Sequence, residues 1–185
     1  LRQRSRNRRG KDNLYLFPYF KRYLPYVKDY DVIFWNRSDI EEKTQAKNSY
    51  IFRSPSRNKY QKLLGYIRFS RFVAKILKKN KYERIVLLHT PLAVLIEKLL
   101  CTQYAGRYLL DIRDYSYEGF RWYYEREKKL IKHAGLNVIS SKGYTTFLPP
   151  GNYIPVHNDN IIKHSSIEAA RKRFSTQRRP IVISN

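Results

Sequence analysis

The segment from Arg84 to Asp114, RIVLLHTPLAVLIEKLLCTQYAGRYLLDIRD, limits the possible folds more than any other. Ile85-Val86-Leu87-Leu88 is an unbroken apolar run, the pattern of a strand covered on both faces. His89-Thr90-Pro91 follows. Thr90 can cap a helix, and Pro91 suits the first helical position, where no amide hydrogen is needed. Leu92 to Tyr104 is apolar nearly all round, which predicts one well-buried helix, and Gly106 can end it in the left-handed conformation. Arg107 to Ile112 is a second apolar strand that closes on Arg113 and Asp114. Such a strand–helix–strand unit is a right-handed parallel crossover. The predicted fold class is α/β, an open and mainly parallel sheet with helices on both faces. Sheets of this kind bind ligands at the carboxyl ends of their strands.

The remaining elements extend the sheet. Leu1 to Asn13 reads as a basic arm, and Leu14 to Lys28 as a helix interrupted by Pro18 and Pro25. Asp31 to Trp35 is a predicted strand, Ser38 to Ser49 a loop, and Tyr50-Ile51-Phe52 a short strand. Lys59 to Lys79 is a predicted amphipathic helix. Its expected buried face is Tyr60, Leu63, Leu64, Ile67, Ala74 and Leu77, with Lys and Arg opposite. Gly119 to Ala134 is a further helix; Glu118, Glu125 and Glu127, close in sequence, read as solvated carboxylates. Leu136 to Ile139 and Tyr153 to Val156 are strands, separated by a short helix or turn at Lys142 to Leu148. Ser165 to Phe174 reads as a helix, and Ile181 to Ile183 opens another strand.

Charge and cysteine content narrow the function. Lys and Arg number 38 against 15 Asp and Glu, a net +23, which suits nucleic acid, anionic membrane or phosphorylated substrates. The single Cys101 allows no internal disulfide and no CxxC metal site, and reads as a packed thiol in a reducing compartment. The four His are scattered without metal-ligand spacing, so no metal is expected. No apolar run approaches the ~20 residues of a membrane span. The chain has no Met and stops on a strand just beginning, so it is expected to be an internal piece of a longer protein.

Polar residues at the strand carboxyl ends are the candidate site: Arg37, His89, Arg113, Asp114, Ser140, Ser141, His157 and Asn158. His89 could hydrogen-bond a ligand hydroxyl or stabilise a developing charge, or it could only cap the following helix. Asp114 could accept a hydroxyl hydrogen bond, or pair with Arg113, or cap a helix. Arg113 and Arg37 could meet a phosphate or be surface charges. Ser140 and Ser141 read first as caps, whose free backbone amides would suit an anion.

The central segment resembles the N-terminal domain of family 4 glycosyltransferases. The matching residues are His89-Thr90-Pro91 and Asp111-Ile112-Arg113-Asp114, then Ser140-Ser141, the Phe147-Leu148-Pro149-Pro150-Gly151 turn and Ile154-Pro155-Val156-His157-Asn158. The likeness covers roughly residues 31 to 158. It implies a Rossmann-like domain, the N-terminal half of a GT-B fold. Residues 1–158 would form the acceptor-side domain without its first strand. Residues 159–185 would be a linker helix and the start of a nucleotide-sugar domain. The implied reaction is sugar transfer from a nucleotide sugar to a glycan or lipid-linked acceptor, usually with retention and without a bound metal. His89 would then face the crevice as the catalytic residue, with Arg37, Arg113, Asp114, Ser140, Ser141 and Asn158 around the substrate. The nucleotide, the family's Glu-x7-Glu motif and its diphosphate-binding basic residues belong to the second domain. Two features depart from the family pattern: no glycine-rich loop is recognisable, and His157-Asn158-Asp159 stands where Pro-Asn-Gly is common.

The resemblance therefore implies a glycosyltransferase, as in surface polysaccharide assembly. It would be cytoplasmic, with its basic surface resting on an anionic inner leaflet. The rival is a basic nucleic-acid-binding α/β module, for which 17 Tyr and the +23 charge could supply stacking and phosphate contacts. No RRM, KH, zinc-finger or helix-turn-helix signature supports that rival.

Overall fold

The computed structural model describes residues 27, 29–37, 44, 46–54, 58–156 and 181–183. Its strands are β1 (Asp31–Asn36), β2 (Asn48–Arg53), β3 (Ile85–Leu87), β4 (Tyr108–Ile112), β5 (Leu136–Ile139), β6 (Tyr153–Pro155) and β7 (Ile181–Ile183). Its helices are α1 (Lys59–Asn80), α2 (Thr90–Leu95), α3 (Glu97–Gln103) and α4 (Arg121–His133), with a 3-10 helix at Lys142–Thr146. The strands form one sheet in the order β2-β1-β7-β3-β4-β5-β6. Every pairing is parallel.

The apolar runs are strands because both faces are covered. In β1, Ile33 and Trp35 enter one cluster with Phe69, Val73 and Leu77 of α1. Val32 and Phe34, one residue out of step, enter the opposite cluster with Val86, Leu109 and Val138. β1, β3, β4 and β5 are buried along their whole lengths. The α1 to α4 helices all contribute to the first cluster. At the amino end of the sheet the buried Asp31 carboxylate is satisfied by the Tyr82 hydroxyl at 2.8 Å and the Asn48 amide at 3.0 Å.

Three elements differ from the sequence expectation. The first is the face of α1. Tyr60, Leu63 and Leu64 are exposed, while Gly65, Phe69, Ser70, Val73, Ile76 and Leu77 are buried. Gly65 sets this rotation, since a Cβ there would overlap the Trp35 ring. The helix therefore turns its hydrogen-only position to the sheet; of the expected face Tyr60, Leu63 and Leu64 point outward, Ile67 and Ala74 are half-buried and Leu77 is buried as expected.

The second difference is a break in the long buried helix at Ile96, where φ is −109° and ψ 18°. The Ile96 amide is shared between the Leu92 and Ala93 carbonyls, each at 3.2 Å, which tightens the turn before α3 begins. Gly106 does adopt the left-handed conformation, with φ 72°, and its amide donates to the His133 carbonyl at 2.8 Å.

The third is the placement of β7. The family likeness puts these residues at the opening of a second domain; here they lie between β1 and β3 in the same sheet. The division drawn after residue 158 falls outside the described residues.

Candidate functional site

The parallel sheet brings Arg37, His89, Arg113 and Ser140 to one edge, because each follows the carboxyl end of its strand. Two groups form along that edge.

The first joins β1, α1 and β3. His89 is the N-cap of α2: its backbone is extended, and its Nδ1 accepts the Leu92 amide at 3.4 Å. Thr90 is thus the first helical residue instead of the cap. A neutral ring that accepts at Nδ1 carries its hydrogen on Nε2. Nε2 lies 3.4 Å from the Tyr66 hydroxyl, and the two rings are near-parallel, with centroids 5.6 Å apart. Arg37 donates to the same hydroxyl at 3.3 Å. Its guanidinium lies 4.2 Å from the centroid of Trp35, which fixes it at the strand end.

Electrostatics hold His89 neutral. Burial, then the nearby Arg37 and Lys62 charges, push its pKa down to about 4. At neutral pH it is a hydrogen-bond donor at Nε2 and adds no charge, beside a permanent cation at Arg37. Such a pair can hold a hydroxyl and a phosphate oxygen side by side.

The second group joins β4 and β5. Arg113 pairs with Asp111 through Nε at 2.9 Å and Nη2 at 2.5 Å, and not with its neighbour Asp114. Asp114 is exposed. Ser140 is not a cap; its hydroxyl donates to the Arg113 carbonyl at 3.1 Å, where the Tyr144 hydroxyl also donates. Ser141 does cap the 3-10 helix, accepting the Gly143 amide at 3.1 Å. These bonds fix the Arg113 turn at the mouth of the sheet. His157 and Asn158 lie outside the described residues.

Tyr66 is the member of the site that the sequence did not single out. It lies on α1, one residue beyond Gly65, so the same rotation that buries Gly65 carries Tyr66 to His89 and Arg37. The Trp35–Gly65 contact that decides this is tertiary, and no local pattern announces it.

The carboxylates on and just before α4 also differ from expectation. Glu125 is exposed, but Glu118 and Glu127 are 7% and 0% exposed. Glu118 accepts the Ser116 amide at 2.6 Å. Neither carboxyl oxygen of Glu127 has a hydrogen-bond partner among the described residues. Burial, then the Glu118 charge, push its pKa up to about 8, so it is mostly protonated at neutral pH. Cys101 is a free, half-buried thiol 3.9 Å from the Tyr108 hydroxyl, and burial raises its pKa. Among the described residues there is no group of three or more His, Cys, Asp or Glu placed to hold a metal. None of their helices is long and apolar enough to cross a membrane.

No protein-family model matches the chain, and neither a curated protein nor a solved structure matches it.

Proposed function

We propose that the chain supplies the acceptor side of a glycosyltransferase, moving a sugar from a nucleotide sugar to a glycan or lipid-linked acceptor. The reading takes the sheet as the N-terminal half of a GT-B fold, with the nucleotide held by a second domain. The observation that favours it most is the Arg37–Tyr66–His89 cluster at the carboxyl edge of a parallel sheet. Sugar transfer asks for a neutral donor to a hydroxyl or to developing charge, and for cations near a diphosphate leaving group. On this reading His89 is that donor, Arg37 and Arg113 draw in phosphate, and Tyr66 orients the imidazole. Asp114, Ser140, Ser141 and Asn158 complete the substrate contacts.

The test is transfer from a panel of nucleotide sugars by the protein together with its nucleotide-holding domain. His89→Ala is expected to lower kcat on the order of ten- to a hundred-fold, the value of a hydrogen bond to a charged centre. Tyr66→Phe should have a smaller effect in the same direction. Unchanged turnover in His89→Ala would remove His89 from the mechanism. No turnover with any nucleotide sugar, alongside salt-sensitive binding to single-stranded nucleic acid, would favour the binding-module rival, to which the +23 charge lends support.

A further inference from the structure

The large apolar side chains left exposed among the described residues are not scattered. There are seven, and all lie in segments that leave strand carboxyl ends. Tyr60, Leu63 and Leu64 occupy the first two turns of α1, which follows β2. Tyr66, two residues beyond Leu64, touches His89 and so fixes this end of the helix at the carboxyl edge of the sheet. Tyr115, Tyr117, Phe120 and Trp122 run from the end of β4 into the first turn of α4. At the opposite edge of the sheet, the turns at 81–84, 104–107 and 134–135 expose none; Tyr82 and Tyr104 there are buried.

The second tip is a built surface. Tyr115 packs edge-on against Phe147 at 5.2 Å, and Tyr117 against Tyr123 at 5.7 Å. Phe120 and Trp122 remain the outermost rings, 67% and 56% exposed, and the Arg126 guanidinium lies 4.8 Å from the Trp122 ring centroid. Exposed cations stand beside both tips, Lys62 on α1 and Arg121 on α4.

We propose that this edge docks on an anionic membrane, with the two tips entering the headgroup region on either side of the crevice. Tyr and Trp suit a boundary that is apolar on one side and wet on the other, and Leu and Phe supply depth below it. The flanking cations meet anionic headgroups. Other occupants fit less well. A second copy would bring up another chain of net charge +23. Nucleic acid would stack on the rings but leave Leu63 and Leu64 without a role. Docking in this pose stands apart from the transfer reading. Where that reading holds, docking selects the lipid-linked acceptor over the free glycan, because the Arg37–Tyr66–His89 cluster lies at the docked edge.

Vesicle binding of the full chain tests this, with phosphatidylcholine alone and with phosphatidylcholine mixed with phosphatidylglycerol. The chain has two Trp; Trp35 is buried and Trp122 exposed, so a change in emission reports Trp122. The expected result is cosedimentation with the anionic vesicles, weakened by salt, with a blue shift of emission. Phe120→Ser and Leu63→Ser should each weaken partitioning on the order of ten-fold, the effect of withdrawing one large apolar side chain. Three results would overturn the proposal. One is no partitioning. Another is partitioning with unshifted emission and no effect of either variant, which leaves charge alone. The third is a blue shift produced by self-association or by a single-stranded oligonucleotide while vesicles produce none. None of these bears on sugar transfer assayed with a soluble acceptor.

Discussion

His89 carries two duties at once, holding the first turn of α2 through Nδ1 and meeting the Tyr66 hydroxyl through Nε2. Substitutions separate them. His89→Ala should cost about 0.5–2 kcal/mol of stability through the lost cap, read by urea unfolding. His89→Asn keeps a capping acceptor, so it should recover most of that stability while still losing the ring. The pH dependence has a definite sign. The folded pKa of about 4 lies below the ordinary 6.5, so the unfolded chain binds the extra proton between them. This residue's contribution is present above pH ~6.5 and is lost as pH falls toward ~4. In His89→Asn that part of the acid destabilisation should vanish.

Glu127 has the opposite sign. Its folded pKa of about 8 lies above the ordinary 4.5, so its contribution is full below ~4.5 and is lost as pH rises through ~8. Glu127→Gln should therefore gain stability relative to the native chain as pH rises from 5 to 9, by about 1–3 kcal/mol at the alkaline end. Thermal unfolding across that range measures it. The sequence made the place of His89 legible, because an apolar strand and a Pro-started helix bracket it. It hid Glu127, whose burial depends on how α4 packs against α2 and α3. It likewise hid Tyr66, whose position follows from the rotation of α1.

At the scale of elements, α1 shows where periodicity stops being sufficient. Its sequence offers two overlapping apolar stripes, one through Tyr60, Leu63 and Leu64 and one through Phe69, Val73 and Leu77. The second wins because Gly65 lets the helix approach the Trp35 ring. Gly65→Ala separates the two outcomes by sign. On a solvated helix face Ala would stabilise by about 1 kcal/mol. Against Trp35 it should instead destabilise by about 1–3 kcal/mol, the cost of overpacking. Equilibrium unfolding of this one variant decides which face is inside. The strands β1, β3, β4 and β5 were plain from their apolar runs. The split at Ile96 was not, since the run on either side of it is equally apolar.

At the scale of the whole molecule, the parallel class follows from apolar runs separated by helices, but strand order does not. Nothing in Ile181-Val182-Ile183 itself says that it pairs with both β1 and β3. The order also ranks the strands by protection. β4 has a partner on each side and is fully buried, while β6 lies at the edge and is only half-buried. Native-state hydrogen exchange should find the amides of Leu109 and Leu110 among the slowest and that of Ile154 much faster. Comparable rates in the two strands would contradict this order.

The double duty of His89 also bears on how such a chain can change over generations. A residue that only met ligand could be replaced freely whenever the ligand changed. One that also ends a helix can be exchanged without loss only for another capping residue, such as Asn, Asp or Ser. Selection for folding alone would thus keep a short polar side chain at this crevice. A new specificity arising here would inherit a hydrogen-bonding group at position 89 before any selection for it began.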